Sequence, residues 1–132
     1  MIKKTIKNFL ILNITGKNDS LALSFNNKFF IHKIPKKTRN NDKLVNTIFN
    51  FLQKHKVKVN ENFLVIVNLG PGSFSSVRIS LSIAKGIKLV SGAKLAGYKN
   101  NDIKELNLEN IDILIKEKLI ENKLIKPVYE LS

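Results

Sequence analysis

At 132 residues the chain has the length of one domain and enough surface to bury for an ordinary core. It contains no cysteine, which excludes a disulfide framework, a thiolate metal site and a cysteine nucleophile. Lys and Arg number 23 against 10 acidic residues, a formal charge of +13 that invites contact with nucleic acid. Only Arg39 and Arg78 are Arg, however, and Lys, Ile and Asn run high together, the bias of an AT-rich genome. A dedicated nucleic-acid face favours the bidentate, stacking guanidinium. The charge reads first as composition, with weak attraction for tRNA as its consequence.

Basic residues precede the apolar run Phe9–Ile14, as in a signal peptide. The run is short, polar residues interrupt it, and no small-residue cleavage site follows, so a strand is the better reading. No unbroken apolar stretch of about 18 residues occurs, and no membrane span is expected. Phe9–Thr15, Ser20–Phe25 and Phe29–Ile34 read as three strands, apolar, β-branched or alternating. Gly16-Lys17-Asn18-Asp19 and Asn26-Asn27-Lys28 supply the turns of an antiparallel meander. After the polar connection Ile34–Asn41, Asp42 is a good N-cap for a helix running towards His55. Its apolar residues Leu44, Val45, Ile48, Phe49, Phe51 and Leu52 exceed the single stripe that one sheet face requires, which implies a second packed surface.

Phe63–Leu69 is a nearly continuous run of strand formers, the pattern of a strand buried on both faces. Gly70-Pro71-Gly72 stops it, and a long helix is expected from Ser73 to about Ser91, ended by Gly92. Lys94–Tyr98 reads as a further strand. Leu108–Asn122 reads as an amphipathic helix with Ile111, Leu114, Ile115, Leu119 and Ile120 inward, and Ile125–Leu131 as a strand or docked tail. The order is that of a ribonuclease-H-like α/β unit.

Between the buried strand and the long helix stands Leu69–Arg78, LGPGSFSSVR. A glycine turn opening a helix can cradle phosphate. This one lacks the Gly-Lys-Ser/Thr ending of a Walker A loop, the three glycines of a dinucleotide fingerprint and the second Gly of a nucleophile elbow. Gly70, Pro71 and Gly72 as a turn with Ser73 as helix cap is the simpler account. The helix behind it carries small residues at Ser73, Ser76, Ser80, Ala84 and Gly86 among Phe74, Val77, Leu81, Ile83 and Ile87, and is apolar around much of its circumference. Some of that surface is expected to meet another chain.

The segment GPGSFSSVRISLSIAKGI closely resembles the GPGSFTGxRxGxxxAKGL signature of the TsaB (YeaZ) family, and FLILNITG sits where that family has its first strand and turn. The resemblance runs through Phe9–Tyr98, with a further echo in Pro127-Val128-Tyr129. It implies one ribonuclease-H-like lobe of the actin-like ATPase superfamily: α/β, a mixed sheet in β-β-β-α-β-α-β order with a C-terminal helix, the second lobe largely absent. Residues 1–99 would form the TsaB-like N-terminal lobe and 100–132 a residual helix and tail packed on it. It implies a cytoplasmic, catalytically silent subunit, without cofactor or metal, that pairs with the catalytic subunit TsaD in forming N6-threonylcarbamoyladenosine at position 37 of tRNA. The ATPase TsaE would belong to the wider complex, and two copies could pair when purified alone.

Carried over, the partner interface is Leu44, Ile48 and Phe51 of the first helix with Phe74, Val77, Arg78 and Leu81 of the second. A charge at Ser80 or Leu81 is expected to abolish pairing in a folded chain. Arg78 would meet a partner carboxylate or brace its own loop. Three departures stand out: Asn13 replaces the family's strand-one Asp, Ser76 and Ser80 replace glycines, and the chain is shorter than its relatives. His32 and His55 lack ligand-spaced neighbours, and no HExxH supports peptidase chemistry. The alternative function is a basic tRNA- or RNA-binding module derived from such a lobe without the partner role.

Overall fold

A computed structural model describes residues 8–36 and 41–121. Arg39 and the expected tail with Pro127-Val128-Tyr129 lie outside them. The elements run β1 (Phe9–Asn13), β2 (Ser20–Phe25), β3 (Lys28–Lys33), α1 (Asn41–Lys54), β4 (Leu64–Asn68), α2 (Phe74–Ser91), β5 (Lys94–Tyr98), α3 (Leu108–Glu117) and β6 (Ile120–Glu121). Among the described residues they build one mixed sheet in the order β3-β2-β1-β4-β5-β6. The meander β1–β2–β3 is antiparallel, β4 adds to β1 in parallel, and β5 adds in parallel to β4.

Strand alternation sorts the core into two layers. Leu10, Leu12, Val65 and Val67 face α1 and α2, whereas Phe9, Ile11, Leu64 and Ile66 face α3. The continuous apolar runs of β1 and β4 are thus explained, because both faces of the central sheet are covered. β3 is the outer strand, its side chains largely solvent-facing and Lys28 and Lys33 at its ends, a pattern that discourages further strand addition.

Helix α2 is capped at both ends by residues legible in the sequence. Ser73 Oγ accepts the Ser76 N–H at 3.2 Å, and Gly92 takes a left-handed φ of 78° while its N–H bonds the Lys88 carbonyl. The last helix is shorter than expected. It ends at Glu117, and Ile120 pairs with Gly97 as a strand antiparallel to β5. No Gly or Pro marks that end, so the sheet partner rather than a local breaker stops the helix. Ile111 and Leu114 are buried, Ile115 and Leu119 half-buried.

Candidate functional site: a capped motif turn and an apolar interhelical groove

The motif turn sits at the carboxyl end of β4, pressed against the end of β1. Gly72 packs on Thr15 so closely that an added Cβ would stand 2.6 Å from the Thr15 Cβ and 2.8 Å from its carbonyl oxygen. That carbonyl accepts the Ser73 N–H at 2.8 Å. Asp19 Oδ1 accepts the N–H groups of Thr15 and Gly16, each at 2.9 Å, and so fixes the β1–β2 turn that receives the motif.

Beneath the turn lies a network of buried and half-buried polar side chains. Asn13 Oδ1 accepts from Asn68 Nδ2 at 2.7 Å and from the Tyr98 hydroxyl at 3.0 Å. Asn13 Nδ2 donates to Ser20 Oγ at 3.3 Å, and Asn68 Oδ1 accepts the Gly70 N–H at 2.9 Å. Asn68 and Tyr98 are fully buried, and each finds a partner, as buried polar groups must. Burial pushes the Tyr98 phenol well above its ordinary range, against a smaller opposing effect of the Asn68 amide. The network ties the ends of β1, β4 and β5 together under the motif. Asn68 and Tyr98 were not legible as a pair, since only the parallel register of β4 and β5 brings them side by side.

A polar cleft of roughly 1100 Å³ opens in front of this turn, lined in part by Lys17, Lys33, Lys36 and Lys104. Several polar groups at the edge of this cleft are already committed and would not be free to hold a phosphate or a metal ion. The N–H groups of Thr15, Gly16, Gly70 and Ser73 are all consumed within the protein. Asn13 is an amide, and Asp19, a cleft carboxylate, is committed to two backbone N–H groups. Among the described residues no three His, Cys, Asp or Glu side chains gather as a metal-ligand set. No helix there is long and apolar enough to cross a membrane.

The second feature is an apolar groove of roughly 1000 Å³ between α1 and α2. Val45 and Phe49 line one wall, Ile83 and Val90 the other, and Gly86 opens it. An alanine Cβ at Gly86 would meet nothing within 4 Å. Phe49 is 51% exposed, Leu89 87% and Val90 89%. On α2, Phe74, Arg78, Lys85 and Leu89 follow at spacings of four, seven and four, which places them on one outward ridge. All four are exposed, and the Arg78 guanidinium lies over the Phe74 ring at 5.4 Å from its centroid.

Of the residues expected at a partner interface, Phe74 and Arg78 are exposed on α2, on the flank away from the groove. Leu44, Ile48, Phe51, Val77 and Leu81 lie in the core of the chain itself, between the helices and the sheet. The helix residues left facing outwards are their neighbours Val45, Phe49, Gly86, Leu89 and Val90. Ser80 and Leu81 are buried too, so a charge there would disrupt the lobe itself. The small residues Ser80 and Ala84 let α2 approach the sheet rather than a partner. His55 is half-buried between the rings of Phe30 and Phe51, with centroids 3.7 and 5.2 Å away. Desolvation, with Lys54 adding to it, lowers its pKa.

No protein-family model matches the chain. Over 86 residues, 64% of its length, it is 36% identical to the tRNA threonylcarbamoyladenosine biosynthesis protein TsaB of Buchnera aphidicola subsp. Baizongia pistaciae (strain Bp). The lobe also superposes on YeaZ from Pseudomonas aeruginosa with a TM-score of 0.62 over 70% of this chain, at 18% identity. Over the matched segment the chain is similar to the TsaB/YeaZ family. A second solved structure, of an uncharacterised protein with similarity to peptidase YeaZ from Pseudomonas aeruginosa, superposes equally well, with a TM-score of 0.62 at 18% identity. The chain spans 38% of the TsaB relative, and 44% and 43% of the two solved chains. The architecture is accordingly mixed α/β and matches part of the YeaZ fold.

Proposed function

We propose that this chain is a non-catalytic subunit in the formation of N6-threonylcarbamoyladenosine at position 37 of tRNA, pairing with a TsaD-like catalytic subunit through α1 and α2. The observation that carries the reading is the apolar groove between those helices, with Phe49 and Val90 open to solvent along it. Burying one such side chain is worth about 1.5–3 kcal/mol, so a lone chain leaves substantial association energy unused. The similarity to a protein named for threonylcarbamoyladenosine biosynthesis supplies the pathway. The spent hydrogen bonds of the motif turn and the amide at Asn13 support a silent role, with no nucleotide or metal chemistry. Residues 1–99 would serve as the pairing lobe, with 100–132 as a residual C-terminal helix and tail packed on the same domain. A TsaE-like ATPase would join the wider assembly in the cytoplasm.

Light-scattering chromatography of this chain mixed with the TsaD-like subunit of the same organism tests the reading. A stable one-to-one complex is expected, and separate elution of two folded proteins would refute it. The formal charge of +13 favours a second reading, a tRNA- or RNA-binding module without the partner role. That reading predicts salt-sensitive binding of tRNA by the chain alone.

A further inference from the structure

We infer that the end of the lobe where the parallel strands begin is a basic pole that takes the phosphate backbone of tRNA. This rests on the tRNA-modification reading above, from which only the presence of tRNA is taken, and it adds the surface that meets it. The strand registers set Lys28, Phe9, Leu64 and Lys94 in one row across this end, within a residue of each other. The segments that close the end are 25–28, 54–63 and 88–94: the β2–β3 turn, the link from α1 to β4 and the link from α2 to β5. They carry Lys28, Lys54, Lys56, Lys58, Lys88 and Lys94 against a single acid, Glu61. Lys88 is half-buried and the other lysines are exposed. Among the described residues none of these lysines is in an ion pair. The links meet in space, since a Cβ at Gly92 would lie 3.7 Å from the Glu61 Cβ and the Lys94 N–H bonds the Phe63 carbonyl. The His55 ring stacks on Phe30 at 3.7 Å, which holds the end of α1 against β3.

A lysine-rich composition alone would scatter cations and acids together. The opposite end of the sheet is of that kind: Lys17, Lys33, Lys36 and Lys104 share the cleft with Asp19 and Glu105. At the basic pole the acids are nearly missing, so the potentials of the lysines add rather than cancel. Lys28 on β3 and Lys94 on β5 bound a row that crosses β2, β1 and β4, a span of about 19 Å. That length suits a chain of phosphates better than a single anion. The backbone at Lys56 points the same way. Its φ is 55°, a left-handed value that favours Gly or Asn, and the other non-glycine residues with positive φ are Asn18, Asn26 and Asn27. Lysine there costs backbone energy that asparagine would not, and a positive charge is what it adds in exchange. Ammonium groups meet phosphates as point charges, so binding should be strong at low salt and indifferent to base sequence.

The test uses the full chain alone and an unmodified tRNA transcript, with affinity read by fluorescence anisotropy between about 0.05 and 0.2 M NaCl. Lys28→Gln/Lys54→Gln/Lys94→Gln alters the pole outside the groove, and Lys17→Gln/Lys36→Gln/Lys104→Gln removes the same charge from the cleft. All six positions are exposed, and circular dichroism checks that each variant folds. For the pole variant the slope of log affinity against log salt should fall in magnitude by about 2–3, with binding at least about tenfold weaker at the lowest salt. The cleft variant should lose much less. Equal losses in the two variants would overturn the inference, and so would absence of wild-type binding at the lowest salt. Lys56→Asn carries the test should the pole variant lose its fold: it should raise the urea midpoint and lower the slope by about 1, and an unchanged slope would overturn the inference. Vesicles of phosphatidylserine and phosphatidylcholine serve as a rival polyanion. Tighter binding to them than to the transcript at equal salt would give this end to a lipid surface and overturn the inference. Because the chain is measured alone, the pairing reading is judged separately. A chain that binds tRNA through the pole yet elutes apart from the TsaD-like subunit upholds the inference and refutes pairing, and one that pairs without binding tRNA does the reverse.

Discussion

Replacing Gly72 with alanine probes the joint on which the motif turn depends. The new Cβ would stand 2.6 Å from the Thr15 Cβ, 2.8 Å from its carbonyl oxygen and 3.0 Å from its Cα. None of these is the far end of a flexible side chain. Thr15 is held from the other side by its N–H bond to Asp19, so the motif turn must retreat, and the Ser73 N–H to Thr15 carbonyl bond goes with it. Overpacking a tight site costs about 1–3 kcal/mol and a lost hydrogen bond about 1 kcal/mol. The expected total is about 2–4 kcal/mol, a large part of the stability of an ordinary domain. In urea, with an m-value of about 1.5 kcal/mol/M for this size, the midpoint should fall by about 1.3–2.7 M. A loss below about 0.5 kcal/mol would show that the turn yields freely, contradicting the close docking of motif on strand.

Three further perturbations separate the roles of single residues. Gly86→Ala adds a methyl where nothing stands within 4 Å; it should stabilise the chain by about 0.5–1 kcal/mol in urea, while Gly86→Phe should weaken pairing by filling the groove. Ser80→Ala removes a buried hydroxyl with no hydrogen-bond partner and should leave stability unchanged or raise it by about 1 kcal/mol; a clear loss would mean that the hydroxyl is satisfied. Tyr98→Phe deletes the donor to Asn13 and should cost about 1 kcal/mol at neutral pH. Burial raises the folded-state pKa of Tyr98, so its contribution is complete below the unfolded value of about 10 and is lost as pH climbs beyond it. The stability gap between wild type and Tyr98→Phe should therefore shrink in alkali, and a constant gap would refute the assignment.

Much of the fold was written in local chemistry. The strands of the meander lie within a residue or two of their expected bounds because Gly16, Asn26 and Asn27 mark the turns, and all three adopt positive φ. Ser73 and Gly92 likewise frame α2. The features that sequence did not disclose depend on contacts between distant segments. Pairing of Ile120 with Gly97 ends α3 where no breaker stands. The hydrogen bonds of Asn13 to Asn68 and Tyr98 span 55 and 85 residues. The excess of apolar residues on α1 and α2 did announce a second surface, but periodicity alone could not divide it. Leu44, Ile48 and Phe51 go to the core, while Val45 and Phe49 go to the groove. Which of two adjacent stripes faces the sheet is decided by how the helix packs across it, and that is a tertiary property.

We propose that the groove between α1 and α2 holds a TsaD-like partner. Its most direct test is titration of the TsaD-like subunit with wild type and with Val90→Glu, a position 89% exposed and therefore harmless to the fold. The account predicts a one-to-one complex with wild type and, for the variant, a folded chain whose affinity is lower by at least about tenfold, the cost of burying an unpaired carboxylate. Equal affinity for the two proteins would place the partner elsewhere and contradict the account.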